Sequence, residues 1–284
     1  MIRIAATVTF YNPDQEIIKN MKSYIDSVEK VYIIDNSSND NIKLIPNNKK
    51  IVYIANNKNL GVASALNIAA NMAIDDGYNW LLTMDQDSEF KDDNLKKMIS
   101  YLEKNENKLN DIGLISPWHV IKTGIKKPTK EMEDVVEVMT SGNIINLLAY
   151  KEIGGYKDWL FIDGIDFEYC MNLNVNGYKV RRLNFCELEH KLGDIKIKHV
   201  LNRNFVCSNH NYIRRYYMSR NNHYIYDMYY NYFPDYCTMI IKGLNGQFRN
   251  ILFFEKDKFR KLRNMIRGYR DYKKGVKGEY KYID

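Results

Sequence analysis

The chain has 284 residues, 45% of them hydrophobic, and a net charge of +7 at neutral pH. This length allows one large α/β domain with an extension, or two small domains, around a core that needs no disulfide bonds. No apolar run reaches the roughly 18 residues of a transmembrane helix, and the first residues lack the pattern of a signal peptide. Four scattered cysteines without a C-x-x-C pair favour a reducing compartment, so we expect a cytoplasmic protein.

The positive charge is concentrated at the end of the chain. Residues 241–284 hold thirteen Lys and Arg against five Asp and Glu, a net charge of +8, and the remainder is therefore close to neutral. A near-neutral body is not expected to bind nucleic acid, which leaves the tail as the segment with affinity for a polyanion.

Apolar, β-branched runs alternate with segments of helical spacing in the first third of the chain. The runs at residues 2–10, 31–35, 50–56 and 80–84 predict buried strands. This alternation predicts a parallel sheet covered by helices, in which ligands bind beyond the carboxyl ends of the strands. Polar clusters follow all four predicted strands: Tyr11-Asn12, Asp35-Asn36, Asn59-Gly61 and Asp85-Asp87.

The later part of the chain is less regular. Residues 112–120 predict a strand, and a helix beginning at Asp166 is expected to end at Asn176-Gly177. Near the end of the chain, four apolar residues share one helical face among basic neighbours: Phe259, Leu262, Ile266 and Tyr269. We therefore expect an α/β domain over residues 1–220 and a helical, basic extension over residues 221–284.

Asp85-Gln86-Asp87 is a candidate metal site. Two acids separated by one residue at a strand end project to the same side, and carboxylate oxygens suit Mg²⁺ or Mn²⁺ carrying a diphosphate. The alternative is a polar turn after a buried strand, a common use of an isolated D-x-D pattern. The position after a predicted α/β strand favours the metal site.

Two further clusters are consistent either with ligand binding or with a local structural role. The Asp35 carboxylate suits hydrogen bonds from a base or ribose, or alternatively an Asx turn or a helix cap at Ser37-Ser38. Gly61 permits close approach of a ligand at the start of a helix that favours anions, and it also suits an ordinary loop and helix cap.

A general base is expected among three acids: Asp163, Asp166 and Glu168. Their apolar neighbours would raise the proton affinity of a carboxylate, although Asp163 or Asp166 also suits a helix cap. His190 follows a predicted strand and is a weaker candidate ligand, since a lone histidine is more often structural.

Six short motifs stand in order along the chain. They are Thr9-Phe10-Tyr11-Asn12, Ile34-Asp35-Asn36-Ser37, Asn59-Leu60-Gly61-Val62-Ala63, Asp85-Gln86-Asp87, Ser141-Gly142 and Asp166-Phe167-Glu168. Together they resemble family 2 glycosyltransferases with the GT-A fold, over roughly residues 3–220. The Asn-x-Gly-Val-Ala and Asp-Gln-Asp motifs, with the later Arg215-Tyr216-Tyr217-Met218-Ser219-Arg220-Asn221, look most like the rhamnosyltransferases of surface-polysaccharide assembly.

The resemblance implies a Rossmann-like, mostly parallel sheet with helices on both faces, and inverting sugar transfer that requires Mg²⁺ or Mn²⁺. The nucleotide-sugar donor would be held by Thr9, Tyr11, Asn12, Asp35, Asn36, Asn59, Gly61, Asp85, Arg215 and Tyr217. The metal would be held by Asp85, Asp87 and His190. Asp166 would be the base. The acidic pair that the family usually has at this position is Ile165-Asp166 here, so one of its two acids is missing. Asp163 is the alternative base.

The resemblance leaves several functions open. The favoured donor is dTDP-L-rhamnose and the acceptor a glycan or lipid-linked hydroxyl, while the alternatives are a UDP-sugar hexosyl or galactofuranosyl transferase and a non-catalytic sugar-nucleotide or glycan-binding protein. The basic tail is interpreted as an amphipathic element on an anionic membrane surface, at the inner face of the cell membrane. A solvated helix or a homo-oligomer contact is the alternative.

Overall fold

The structure is a computed structural model, and it describes residues 1–120, 126–189, 196–200 and 203–282. The chain divides into two compact units. The first consists of Met1–Asp158 and Asp166–Lys191, and the second of Trp159–Ile165 and Leu192–Asp284. The boundary expected between residues 220 and 221 falls inside a helix, Tyr212–Tyr229. The extension and the residues before it are therefore parts of one folded unit.

The first unit is an α/β layer structure. Its strands are β1 (Ile4–Phe10), β2 (Lys30–Asp35), β3 (Ile51–Ala55), β4 (Trp80–Asp85), β5 (Glu89–Phe90), β6 (Ile112–Val120), β7 (Met132–Val135), β8 (Asn143–Asn146) and β9 (Lys179–Glu189). Its helices are α1 (Glu16–Lys22), α2 (Val62–Asp75), α3 (Asn94–Lys104), α4 (Leu147–Glu152) and α5 (Ile165–Val175). The first residue of α5, Ile165, belongs to the second unit.

One mixed sheet joins these strands in the order β3-β2-β1-β4-β8-β6-β9-β5, with β7 paired to β9. The pairs β1–β2, β2–β3, β1–β4 and β6–β9 are parallel, whereas β8 runs antiparallel to β4 and β6. Residues of β1, β2 and β4 are almost all buried, as expected for central strands covered on both faces. Five buried alanines of α2 allow that helix to pack closely: Ala63, Ala65, Ala69, Ala70 and Ala73.

The register of the central strands brings the predicted polar clusters to one edge of the sheet. Thr9 of β1 lies opposite both Ile34 of β2 and Asp85 of β4, and Phe10 lies opposite Asp35. Because β1, β2 and β4 are parallel, the loops that follow them leave the sheet side by side. The predicted α/β sheet and its strand ends are confirmed.

The second unit contains the hairpin β10 (Lys196–Val200) and β11 (Arg203–Cys207), and three helices. The helices are α6 (Tyr212–Tyr229), α7 (Pro234–Phe254) and α8 (Lys258–Lys273), and α6 packs against both of the others. Among the described residues, no helix combines the length and apolar character needed to cross a membrane.

Helix α8 packs through its polar face. Several of its apolar residues point outward, with Phe259 91% exposed and Ile266 51% exposed, whereas Met265 is buried and Leu262 is half-buried against it. The buried residues of α8 are Lys261, Asn264, Met265, Gly268 and Asp271. A Cβ atom on Gly268 would lie 2.3 Å from the carbonyl oxygen of Tyr216, so only glycine permits this close approach of α8 to α6.

Tyrosines supply the hydrogen bonds that make a buried polar face possible. The Asp271 carboxylate accepts hydrogen bonds from the hydroxyls of Tyr216 and Tyr282, each at 2.7 Å. The Asn264 side-chain oxygen accepts one from Tyr280 at 2.7 Å. Buried polar groups with partners avoid the desolvation cost of unpaired ones, so the polar face of α8 is as well suited to the interior as an apolar face.

Replacement of Gly268 tests this packing. Gly268→Ala should lower the free energy of unfolding by about 3 kcal/mol, because the added methyl group collides with backbone. Gly243→Ala in α7 is the matched control: no atom lies within 4 Å of the added Cβ, so a gain of up to about 1 kcal/mol in helix propensity is expected. Denaturant unfolding measures both, and equal effects of the two substitutions would contradict the close contact.

Candidate active site

Hydrogen bonds tie the loops after β1, β2 and β4 into one edge. The Tyr11 backbone N–H donates to Gln86 Oε1 at 2.9 Å, which joins the loop after β1 to the Asp85-Gln86-Asp87 turn. The Asn12 N–H donates to Ser37 Oγ at 2.8 Å, which joins the same loop to the end of β2. Tyr11 and Asn12 are both exposed, so the loop they form borders open space.

The loop after β3 joins the same edge through Asn36. Its side-chain nitrogen donates to the Gly61 carbonyl oxygen at 2.9 Å, and its side-chain oxygen accepts from Asn56 at 2.9 Å. Asn59 accepts a hydrogen bond from the Gly61 N–H at 2.9 Å. Gly61 has φ +83°, a left-handed conformation that favours glycine, and it directly precedes α2. The four predicted clusters are thus brought together.

The Asp35 side chain is used within its own loop. Its carboxylate accepts from the Ser37 N–H at 2.8 Å, from the Tyr53 hydroxyl at 2.7 Å and from the Asn41 amide at 2.8 Å. Burial acts to raise the pKa of Asp35, but these hydrogen bonds outweigh it and hold the pKa below its ordinary value. At 1% exposure the carboxylate shapes the loop as an Asx turn, the alternative left open by the sequence.

Asp85 and Asp87 stand at the centre of the edge. The Asp85 N–H donates to Ser141 Oγ at 3.0 Å, and the Gly142 N–H donates to the Thr83 carbonyl oxygen at 2.7 Å. The Ser141-Gly142 motif therefore fixes the backbone from which Asp85 projects. Asp85 is half-buried and Asp87 exposed.

The donor set at this edge fits a divalent cation that is shared with a ligand. Within the described ranges, no three His, Cys, Asp or Glu side chains form a group that could hold a metal ion. Mg²⁺ is commonly held by one or two carboxylates together with water and substrate phosphates, which is what Asp85 and Asp87 offer. His190, the third predicted ligand, lies outside the described residues.

The Thr9 hydroxyl also fits a ligand at this edge. Thr9 lies opposite Asp85 in the strand register. Its Oγ1 atom is enclosed and has no hydrogen-bond partner in the described part of the chain. Buried polar atoms without a hydrogen-bond partner are few in native proteins, and a ligand that binds to such an atom is one explanation for it.

Asp166 begins α5 beside a second, buried carboxylate. Glu137 follows β7, and the carbonyl oxygens of the residues on either side of it accept hydrogen bonds from Cys170 and Asn174 of α5. Cys170 is one helical turn beyond Asp166. Burial, and then the negative charge of Asp166, raise the pKa of Glu137 to about 8, and Glu137 Oε2 has no hydrogen-bond partner among described residues.

A short stretch of chain links Asp166 to the aspartates of the edge. It runs from Glu137, beside Asp166, to Ser141, which binds the backbone of Asp85. Four residue steps span at most about 14 Å, so Asp85 and Asp166 lie near the two ends of one short segment.

Asp163, the rival base, is engaged elsewhere. Its carboxylate forms a two-point ion pair with the Arg214 guanidinium, with one of the contacts at 3.2 Å from Nε. Phe161 and Asp163 have φ +67° and +64°, and Gly164 has φ +81°, so three residues of this loop are left-handed. The loop leads directly into α5 and Asp166.

Side chains of α6 hold this strained loop. Asn221 Nδ2 lies within 2.9 Å of the carbonyl oxygens of Leu160, Ile162 and Asp163. Arg220 donates to the carbonyl oxygens of Trp159 at 3.1 Å and Leu160 at 3.2 Å. Strained conformations persist where the surroundings over-determine them, and α6 supplies those contacts.

The structure does not support donor contacts for Arg215 and Tyr217. Arg215 is 1% exposed and pairs with Glu255 at 2.7 Å. Tyr217 is 1% exposed, and its ring stacks on Phe161 at 5.2 Å between centroids. Both are interior residues of the second unit, because the polar and aromatic motif of α6 packs inward.

The residues overlooked in the sequence are Gln86, Ser37, Glu137 and Asn221. Gln86 lies between two acids that were themselves singled out, and Glu137 is a lone acid in the apolar run Val135–Met139. An acid in an apolar run is the signal that could have identified Glu137. Nothing in the pattern around Asn221 indicates a side chain that binds three carbonyl groups.

Comparisons with known proteins agree with the predicted family. Residues 6–117 match the family model described as Glycosyl transferase family 2. The chain is 27% identical over 242 residues to the dTDP-rhamnosyl transferase RfbF of Shigella flexneri, an alignment that covers 77% of this chain and 78% of the relative.

Solved structures agree on the fold. Residues 1–349 of S. aureus TarS in complex with UDP-GlcNAc superpose with a TM-score of 0.61 at 12% identity, over 100% of this chain and 95% of that one. GalNAc-T7 with UDP, GalNAc and Mn²⁺ superposes with a TM-score of 0.55 at 14% identity, over 67% of this chain and 44% of that one. The predicted GT-A fold is confirmed, and the likeness to family 2 glycosyltransferases extends over residues 6–117 of the chain.

Proposed function

We propose that the chain transfers L-rhamnose from dTDP-L-rhamnose to a hydroxyl group of a glycan or lipid-linked acceptor in polysaccharide biosynthesis. The observation that carries this proposal is the hydrogen-bonded edge at which the loops after β1–β4 meet Asp85 and Asp87. The choice of donor follows the likeness to RfbF, which is named a dTDP-rhamnosyl transferase.

Asp166 is proposed as the general base. Of the three candidate acids, Glu168 is fully buried and Asp163 is neutralised by Arg214, whereas Asp166 stands at the start of α5 and is half-buried. Asp166 takes the proton of the acceptor hydroxyl as its oxygen bonds to the anomeric carbon and the bond from that carbon to the diphosphate oxygen breaks. One displacement of this kind inverts the anomeric centre.

Glu137 supports Asp166 in the neutral form. With a pKa of about 8, Glu137 holds its proton at neutral pH and adds no negative charge beside the base. A charged Glu137 would place a second negative charge beside Asp166 and would repel the departing diphosphate. The carboxylic acid is therefore suited to its place only while it is protonated.

Asp85 and Asp87 would hold Mg²⁺ or Mn²⁺ together with the donor diphosphate. The cation supplies neutralisation of the negative charge that develops on the departing nucleoside diphosphate. Tyr11, Asn12 and Gly61 would border the nucleoside and diphosphate, with Thr9 Oγ1 as a further donor. Asp35 and Asn36 act on the donor indirectly, because they fix the loops around it.

A UDP-sugar transferase is the second candidate. TarS and GalNAc-T7, which share the fold, were solved with UDP-GlcNAc and with UDP, GalNAc and Mn²⁺, respectively. A non-catalytic sugar-nucleotide-binding protein is the third. Nucleotide release with dTDP-rhamnose and a panel of UDP-sugars, with manganese, separates the three. Preference for a UDP-sugar would replace the proposed donor, and binding without turnover would reject enzymatic function.

Substitution of the two acids tests the base. Asp166→Asn should lower kcat by about 10²–10⁴-fold while the Kd of the donor changes little, because only proton transfer is lost. Asp163→Asn is the matched variant and should retain transfer. Full activity of Asp166→Asn together with loss of transfer in Asp163→Asn would reverse the assignment.

Loss of a proposed metal ligand should weaken donor binding. Asp87→Ala should raise the Kd of the donor in manganese at least about tenfold and leave the small metal-free affinity unchanged. Asp93→Ala, an equally exposed aspartate at the start of α3, is the control. Calorimetry with and without EDTA measures both; equal affinities in the two variants would remove Asp87 from the site.

The buried Glu137 predicts a pH-dependent stability. Its pKa of about 8 lies above the ordinary 4.5, so the folded chain binds this proton more tightly, and stability falls as pH rises from about 4.5 to 8. Relative to wild type, Glu137→Gln should therefore gain on the order of 2–4 kcal/mol between pH 5 and pH 8.5. Exposed Glu103→Gln in α3 is the control, and parallel pH profiles for wild type and Glu137→Gln would contradict the burial.

A further inference from the structure

The outward face of α8 combines large apolar side chains with cations. We name as the outer face of α8 the residues Phe259, Leu262, Arg263, Ile266, Arg267 and Arg270, which line one shallow groove of about 500 Å³. Phe259 is 91% exposed and Ile266 is 51% exposed. An exposed apolar patch rimmed by polar residues is typical of an interaction surface rather than of ordinary surface.

The orientation of α8 is determined by its buried side. Gly268 lies in contact with the backbone of α6, and Asp271 and Asn264 are hydrogen-bonded to tyrosines. Rotating the helix to bury Phe259 and Ile266 would expose these satisfied groups and bring side chains against α6. Phe259 and Ile266 point outward because the packing of the opposite side of α8 requires it. They are therefore not core residues left exposed by incomplete packing.

Charge indicates what covers this face. Arg263 and Arg270 are exposed beside the apolar residues, and residues 241–284 carry a net charge of +8. A second copy docked on the same face would bring these cations against their own counterparts, which is unfavourable. An anionic lipid surface instead offers phosphate groups to the arginines and acyl chains to Phe259 and Ile266.

We propose that the outer face of α8 docks the protein on anionic lipid membranes. Phe259 and Ile266 enter the boundary between headgroups and acyl chains, and Arg263 and Arg270 contact lipid phosphates. The end of α7 also exposes Leu252 and Phe253, which adds apolar surface to the same unit. This interaction does not depend on which sugar donor the chain uses.

Co-sedimentation of the full chain with vesicles tests the proposal. The wild type should bind vesicles made of phosphatidylglycerol and phosphatidylcholine in equal parts, bind weakly to pure phosphatidylcholine, and dissociate as salt is raised. Phe259→Ser with Ile266→Ser should reduce binding at least about tenfold. Leu148→Ser, at a 63% exposed leucine of α4, is the control and should bind as wild type.

Charge reversal separates docking from general attraction. Arg263→Glu with Arg270→Glu should reduce binding to anionic vesicles by more than about tenfold. Lys97→Glu with Lys104→Glu, at exposed lysines of α3, changes the net charge equally and should bind these vesicles much more strongly than the arginine double variant does. Equal losses in the two pairs, no binding by wild type, or unchanged binding by Phe259→Ser with Ile266→Ser would overturn the proposal. So would an oligomer, seen by light scattering, that Phe259→Ser dissociates.

Discussion

The hydrogen-bond register of β1 with its two parallel neighbours is the constraint on which the site depends. Thr9 is held opposite Ile34 on one side and Asp85 on the other, so the loops after β1, β2 and β4 must leave the sheet together. The side-chain bonds from Gln86, Ser37 and Asn36 then join these loops into one rigid edge. A slip of one residue in β1 would turn the Thr9 side chain to the opposite face and separate the partners.

The strands and the polar edge of the sheet could be predicted because both follow from local patterns. Apolar runs of strand length identify β1–β4, and polar residues at their ends identify the edge. The use of each side chain could not be predicted, since it depends on neighbours distant in sequence. Asp35 illustrates this: its three donors include Tyr53, eighteen positions away on another strand, and they decide between an Asx turn and an open carboxylate.

The second unit departs further from the sequence patterns because it buries polar residues. Arg215 and Tyr217 have the composition of a ligand site, yet they pack in the interior of the three-helix unit. Helix α8 has an apolar stripe, yet its buried side is mostly polar and includes Gly268 and Asp271. Hydrophobic periodicity identifies the face of a helix correctly only when apolar burial decides its orientation, and here tyrosine hydroxyls and close backbone contact decide it.

The buried Glu255 connects the end of the chain to its middle. Its carboxylate is 1% exposed and lies between Arg215 at 2.7 Å and Lys261 at 2.8 Å. A polypeptide terminated before Glu255 would keep the guanidinium of Arg215 in the interior without its counter-ion, at a cost of about 3–5 kcal/mol. Incomplete translation products that lack Glu255 would therefore be poorly folded and degraded by cellular proteases instead of persisting as partly active protein.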